Sequence, residues 1–305
     1  MEDWINIFMP GRLCMFGEHS DWAASYRNIN PDIQKGYAIV VGIDKGIYLK
    51  VRQTDEFYYR YKLGNKCIEY QNDIESIKNL DLKSIDEFMS YILSTYKLML
   101  IKYNIKGAEI ICTHMDLPIK KGLSSSSAIC MAVIRSCNLL YSLNLTIEQE
   151  MELAYQAEQN TGSKCGRLDQ LCAYGTGVRV VEFDGDNFSS KLVENNTDLY
   201  ILLVDLNGFK DTKKILQDLN NLYPYIEDEE STKLYTALGY DNINIVNKAI
   251  QAMESNNPIK LGKLMTWAQH IFDSKIAPFS IENLKAPKLH QLIEFVTGKR
   301  GVLGT

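Results

Sequence analysis

"LPIKKGLSSSSAIC", Leu117 to Cys130, sets four serines in a row after a proline, two lysines and a glycine, then runs into apolar, helix-forming residues. Two readings meet in this stretch. In the first, one serine caps a helix by accepting a bond from an orphan amide, and the others are spare polar residues of an exposed loop. In the second, the Gly/Ser turn gathers free backbone N–H groups at the positive end of a helix dipole and so forms an anion site. Gly122 permits the turn, the small side chains let a phosphate approach the backbone, and a serine hydroxyl can ligate a hard cation such as Mg²⁺. Lys120 and Lys121 can attract a nucleotide, although two lysines in a loop are usually just solvated.

Working outward, "GAEIICTHMDLP" reads as a strand leading into the serines, and two helices follow, roughly 126–143 and 146–159. Thr146 with Gln149 three residues on is a capping-box pattern. "SIDEFMSYILSTYKLMLIKYN" has helical periodicity, with Phe88, Tyr91, Ile92, Tyr96, Leu98 and Met99 recurring on one side. "GYAIVVGIDKGIYLKVRQ", Gly36 to Gln53, reads as two strands broken by a turn near Asp44-Lys45-Gly46. Asp184-Gly185 in "GTGVRVVEFDGDNFSSKLV" is a hairpin signal. "LYILLVD", Leu199 to Asp205, reads as a buried strand, and most of the remainder is helical. A β-rich, then helix-rich order without regular βαβ alternation predicts an α+β fold. The sequence predicts two domains, 1–190 with the phosphate loop and 191–305, with a soft boundary near residue 190.

Composition narrows the function. The 305 residues are 46% hydrophobic and 23% charged with a net charge of -5, which excludes a disordered chain and disfavours nucleic acid as partner. Seven cysteines form no CxxC pair and the four histidines lie far apart, which disfavours a structural zinc site, and the thiols read as reduced. The start of the sequence carries no basic stretch followed by an apolar core, and no apolar run reaches spanning length, so the expectation is a cytoplasmic protein with no membrane partner. No GxGxxG follows a strand and no GxxxxGK[ST] occurs, which disfavours Rossmann and Walker-type sites.

A phosphate loop alone does not make a kinase. Phosphoryl transfer also needs a metal ligand, a carboxylate for the acceptor hydroxyl, a cation and groups that read the acceptor. "AEQNTGSKCGRLDQLCAYG" offers Glu158 at a helix end and Asp169 after a loop, and "PGRLCMFGEHSDW" gathers Arg12, Glu18, His19 and Asp21. For each there is a plainer reading: Asp169 and Arg12 as a surface ion pair, Glu158 as an exposed residue of an acidic helix, His19 as a structural histidine.

Three segments together resemble the GHMP small-molecule kinases. "PGRLCMFGEHSDW" is similar to their first motif in its galactokinase form, "LPIKKGLSSSSA" to the Pro-x-x-x-Gly-Leu-Ser-Ser-Ser-Ala phosphate loop, and "CGRLDQ" to the segment with the catalytic aspartate. The resemblance implies a two-domain fold, with a ribosomal-protein-S5-domain-2-like N-terminal part and a ferredoxin-like α/β sandwich at the C-terminus. It implies that Asp169 accepts or orients the proton of the acceptor hydroxyl and that Arg12 favours the developing alkoxide. The amides of Gly122, Leu123, Ser124, Ser125 and Ser126 would cradle the phosphates of ATP, Ser126 and Glu158 would hold Mg²⁺, and Glu18, His19 and Asp21 would bind the acceptor. The separation of Glu158 from Asp169 matches the mevalonate kinase arrangement.

Ser20-Asp21-Trp22 is close to the Thr-Asp-Tyr of galactokinases, and a carboxylate suits a polyol because it accepts from two vicinal hydroxyls. The resemblance therefore implies a small-molecule substrate, a monosaccharide phosphorylated at its anomeric hydroxyl. The chain departs from the pattern at Cys14, at Trp22 and in additional residues around "SYRNINPDIQKG", so a sugar other than galactose stays open. "HQLIEFVTGKRGVLGT" resembles the helix and strand just before the family's third, Gly-rich motif; Thr305 is the last residue, and the expectation is a sequence cut short of that motif. A mevalonate-type kinase and a kinase-like binding protein without turnover are the alternatives.

Overall fold

The computed structural model describes residues 4–63, 66–119, 121–163, 165–197, 200–208, 212–225 and 228–305. The strands are β1 (Ile5–Phe16), β2 (Gly36–Thr54), β3 (Phe57–Leu63), β4 (Lys66–Asn72), β5 (Gly107–Met115), β6 (Gly177–Asp184) and β7 (Asn187–Leu192). The helices are α1 (Ser20–Ser25), α2 (Ile74–Lys78), α3 (Glu87–Tyr103), α4 (Ser125–Leu140), α5 (Ile147–Asn160), α6 (Thr212–Asn220), α7 (Glu229–Thr236), α8 (Asn242–Glu254), α9 (Pro258–Lys275), α10 (Ile281–Leu284) and α11 (Pro287–Val296). The mixture is α+β, as expected. The chain folds as two compact units, one of residues 1–13 and 42–177, the other of residues 14–41 and 178–305. The soft boundary expected near 190 lies inside the second unit, which also takes in residues 14–41.

In the first unit the sheet runs β4-β3-β5-β2, with β1 also paired to β2. β3 and β4 are antiparallel with Tyr59 opposite Tyr70, β2 and β5 antiparallel with Val51 opposite Ile110, and β3 and β5 parallel. Helix α4 is buried along most of its length, from Ser127 through Ile134, because its residues are small or apolar on every side. It packs between α3 and α5, and the Ser94 hydroxyl of α3 donates to the Ala157 carbonyl of α5 at 2.7 Å. The capping box of Thr146 and Gln149 forms as the sequence predicts.

The turn expected at Asp44-Lys45-Gly46 does not form: β2 is one continuous strand, with a register shift between Tyr48 and Leu49. Gly46 marks a close approach instead. A Cβ there would collide with the Met9 carbonyl of β1, and the Gly46 N–H donates to Asp116 at 2.7 Å.

The second unit holds the β6–β7 hairpin, turned at Gly185-Asp186 with Phe183 opposite Phe188. Its core gathers Phe16, Trp22, Ile39, Ile215, Leu219, Leu234, Val246 and Ala249. The strand expected over 199–205 is not seen: Leu199 lies outside the described residues, and 200–205 are irregular with Tyr200 and Leu202 exposed. Among the described residues no strand lies beside them, and an extended run without a ladder leaves its amides to water. The helix expected before Thr305 forms as α11, while Val302–Thr305 runs as coil against Gly262 of α9.

Gly46→Ala is expected to destabilise the protein by about 1–3 kcal/mol, the usual cost of overpacking. Urea unfolding checks it, and an unchanged midpoint would mean that β1 does not press on β2.

Candidate active site

β1 brings Arg12 under the serine loop. A Cβ on Gly11 would collide with Leu117 and lie 2.9 Å from the Leu123 carbonyl, so glycine lets strand and loop touch. The Arg12 N–H donates to the Leu123 carbonyl at 3.3 Å, and its Nη1 to the Gly122 carbonyl at 3.3 Å. Its Nη2 forms an ion pair with Asp169 Oδ1, where the Ser124 hydroxyl also donates at 2.8 Å. One guanidinium thus ties the strand, the turn and the carboxylate together. Arg12 is nearly buried at 8% side-chain exposure, while Asp169 keeps 29%, so its carboxylate can meet a ligand.

The serines serve carboxylates rather than the helix cap. Ser124 occupies the N-cap position of α4 in the left-handed region (φ 57°), and its side chain makes no capping bond. The Ser127 hydroxyl donates to Glu158 Oε2, and Gln170 Nε2 reaches the same oxygen at 2.5 Å. The nearby Ser126 hydroxyl also acts to lower the Glu158 carboxyl's pKa. The hydroxyl at the cap position is thus spent on a carboxylate rather than on the first amides of α4, the end of a helix where an anion is favoured. Gly122, φ +79°, has open space where a Cβ would stand, as a loop that receives a ligand requires.

Glu158 is 1% exposed at the last turn of α5. Burial, and then the neighbouring Asp169 charge, push its carboxyl up to about 7; the hydrogen bonds from Ser127, Ser126 and Gln170 oppose that rise. Among the described residues its partners are hydroxyls and an amide, with no lysine or arginine. Glu150, equally buried on the same helix, is paired with Arg135 at 2.6 Å. The reading of Glu158 as an exposed residue is therefore overturned, and its burial without a cation fits a hard divalent ion. A hydroxyl and carboxylates are the oxygen donors Mg²⁺ accepts, with phosphates and water completing its shell. Among the described residues no three His, Cys, Asp or Glu side chains cluster as a metal site, so the protein would supply only part of that shell.

Glu18, His19 and Asp21 belong to the second unit. Glu18 is exposed, while His19 and Asp21 are buried at 5% and 8%. Lys120 lies outside the described residues. Sequence reasoning missed Ser127 and Gln170 as partners of Glu158; the signals were the fourth serine of the row and the glutamine beside Asp169.

Residues 90–177 match the family of the GHMP kinases N terminal domain. A galactokinase of Actinobacillus pleuropneumoniae is 23% identical over 331 residues, covering 97% of this chain and 80% of that protein. The fold is similar to that of Lactococcus lactis galactokinase complexed with galactose, with a TM-score of 0.70 and 20% identity over 99% of this chain and 81% of that one. It is also similar to Methanococcus jannaschii mevalonate kinase, with a TM-score of 0.64 and 19% identity over 96% and 83% of the two chains. The match over residues 90–177 and the likeness to galactokinases make the chain similar to the GHMP kinases, of the galactokinase kind. Its class is that of ATP-dependent kinases that phosphorylate a hydroxyl.

The proton on Glu158 gives a stability signature. The folded carboxyl keeps its proton up to about pH 7, where an ordinary glutamate loses it near 4.5. The stability this group contributes is therefore complete below pH 4.5 and lost as the pH rises through 7. Without Mg²⁺ or nucleotide, unfolding free energy should fall by about 3 kcal/mol more across that window in the wild type than in Glu158→Gln. Parallel curves would mean that Glu158 is solvated. Ser127→Ala, which strips a donor from the buried carboxylate, should cost about 1–3 kcal/mol in the same assay at pH 8.

Proposed function

We propose that this protein transfers the γ-phosphoryl group of ATP to a hydroxyl of a monosaccharide, as a sugar 1-kinase of the galactokinase kind. The observation that carries the reading is the junction of Arg12, Ser124 and Asp169 at the start of α4, where the cap-position hydroxyl serves the carboxylate instead of the helix. Asp21, in a first motif of galactokinase form, supports a polyol as acceptor. Residues 1–190 and 191–305 are taken as the two evolutionary domains of such a kinase, and its setting as the cytoplasm. No described helix is long and apolar enough to cross a membrane.

In this reading the amides of Gly122 to Ser126 hold the β- and γ-phosphates. Ser126 and Glu158 would hold Mg²⁺, which when bound neutralises charge on the phosphates. Both polar contacts of Asp169 fall on Oδ1, which leaves Oδ2 to take the proton of the acceptor hydroxyl or to orient it. The acceptor oxygen forms its bond to Pγ as the bond from Pγ to the bridging oxygen of ADP breaks, and the proton passes to Asp169 or to solvent. Arg12 favours the negative charge on the attacking oxygen. Glu18, His19 and Asp21 bind the other hydroxyls.

The likeness to a mevalonate kinase supports mevalonate as the second acceptor to test. ADP release in the presence of Mg²⁺, measured against a panel of monosaccharides and mevalonate, decides between them. A sugar-dependent signal is expected, and Asp169→Asn should lower it by at least about 10²-fold. Binding of ATP and sugar with no ADP release would favour a regulator without turnover, and undiminished release by Asp169→Asn would remove Asp169 from the chemistry.

A further inference from the structure

Helices α2, α3, α4 and α5 of the first unit each begin at a residue with a side-chain oxygen: Asp73, Asp86, Ser124 and Thr146. Asp73, Asp86 and Thr146 hold extended backbone, with ψ of 161°, 152° and 164°, and their side chains accept from the first amides of their helices. Extended backbone at the cap is what lets the side chain turn back over the helix. Ser124 stands instead at φ 57°, ψ 42° and makes no capping bond, although its carbonyl accepts from Ala128 N–H at 2.9 Å as a cap residue's should. Thr146, with the same hydroxyl chemistry, shows that the difference lies in the backbone.

The left-handed region is costly for an L side chain and is kept only where the surroundings enforce it. Three consecutive carbonyls enforce it here. Arg12 Nη1 donates to the Gly122 carbonyl and the Arg12 N–H to that of Leu123, both at 3.3 Å, while Ala128 N–H holds that of Ser124. The planar peptides on both sides of Ser124 are thereby fixed, one by β1 and one by α4, and with them φ and ψ of the residue between.

The hydroxyl so presented donates to Asp169 Oδ1 at 2.8 Å, the oxygen that Arg12 Nη2 also holds. A carboxylate turns readily about its Cβ–Cγ bond, because that torsion is broad and two-fold. Two donors that reach one oxygen from β1 and from the head of α4 oppose such turning. Among the described residues neither falls on Oδ2, and the Asp169 side chain keeps 29% exposure.

We infer that Ser124 is a positioning residue for Asp169, and that its left-handed backbone is kept because it turns the hydroxyl away from the helix and onto the carboxylate. This rests on the reading above that Asp169 takes or orients the proton of the acceptor hydroxyl. Glycine would hold the same φ at no steric cost but brings no donor; alanine bears the cost and brings no donor either. Stability and turnover therefore part at this position, where a purely structural residue would move them together.

Ser124→Ala and Ser124→Gly in the full chain separate the two. Both lose the donor, so both should lower kcat for ADP release about ten- to a hundredfold, with KM for ATP within about twofold of wild type. Only glycine is free of the left-handed cost, so its Tm should exceed that of the alanine variant by at least about 2 °C. Added to Asp169→Asn, Ser124→Ala should lower kcat by less than about threefold. A glycine variant with near wild-type kcat, losses of kcat that follow Tm, equal Tm for the two variants, or an undiminished cost of Ser124→Ala in Asp169→Asn overturns the inference. If the wild type releases no ADP with any acceptor, the kinase reading fails on its own, and heat decides the contact. Ser124→Ala should then lower Tm by at least about 2 °C more in the wild type than in Asp169→Ala, and equal shifts overturn the positioning role.

Discussion

A buried carboxylate with no cation among its described partners is the constraint around which the first unit is organised. Glu158 sits at 1% exposure with Asp169 as a charged neighbour, and among the described residues it is met by a hydroxyl and an amide rather than a lysine or arginine. Neutral donors soften the penalty of burying such a group without removing it, and a group left in that condition is ready for a counter-charge from outside. Arg135 shows that the fold can place a cation against a buried glutamate of the same helix where structure alone is wanted. The difference between Glu150 and Glu158 is the clearest mark of a site in the molecule.

The four serines follow from that constraint. A helix cap needs one hydroxyl, yet Ser124 turns to Asp169 and Ser127 to Glu158. The start of α4 is then built from small side chains that hold two carboxylates in place, beside amides that no side chain of the cap position satisfies. Arg12 closes the arrangement by binding the turn and Asp169 at once, and Gly11 gives β1 the room to deliver it. Arg12, Asp169 and the serine loop thus share one base, the arrangement that positioning chemistry would require.

Local features of the fold were legible in the sequence because their causes are local. The capping box at Thr146, the periodicity of α3 and the hairpin at Asp184-Gly185 each depend on residues a few positions apart. Gly46 was misread as a turn because its cause, the passage of β1 at Met9, lies far away in the chain. The apolar run at 200–205 was misread as a buried strand because strand formation depends on a partner that composition cannot name. In the site, motif order pointed to Arg12, Asp169 and the loop. The pairing of Ser127 and Gln170 with Glu158 could not be read, since it joins the ends of two helices and a turn.

The most direct test is a crystal structure with Mg²⁺ and a non-hydrolysable ATP analogue. The expected result has the β- and γ-phosphates on the amides of residues 122–126, a cation against Ser126 and Glu158, and Ser124 still bound to Asp169. Phosphates bound elsewhere, or serines turned from the carboxylates to cap α4, would contradict the role assigned to the serine row.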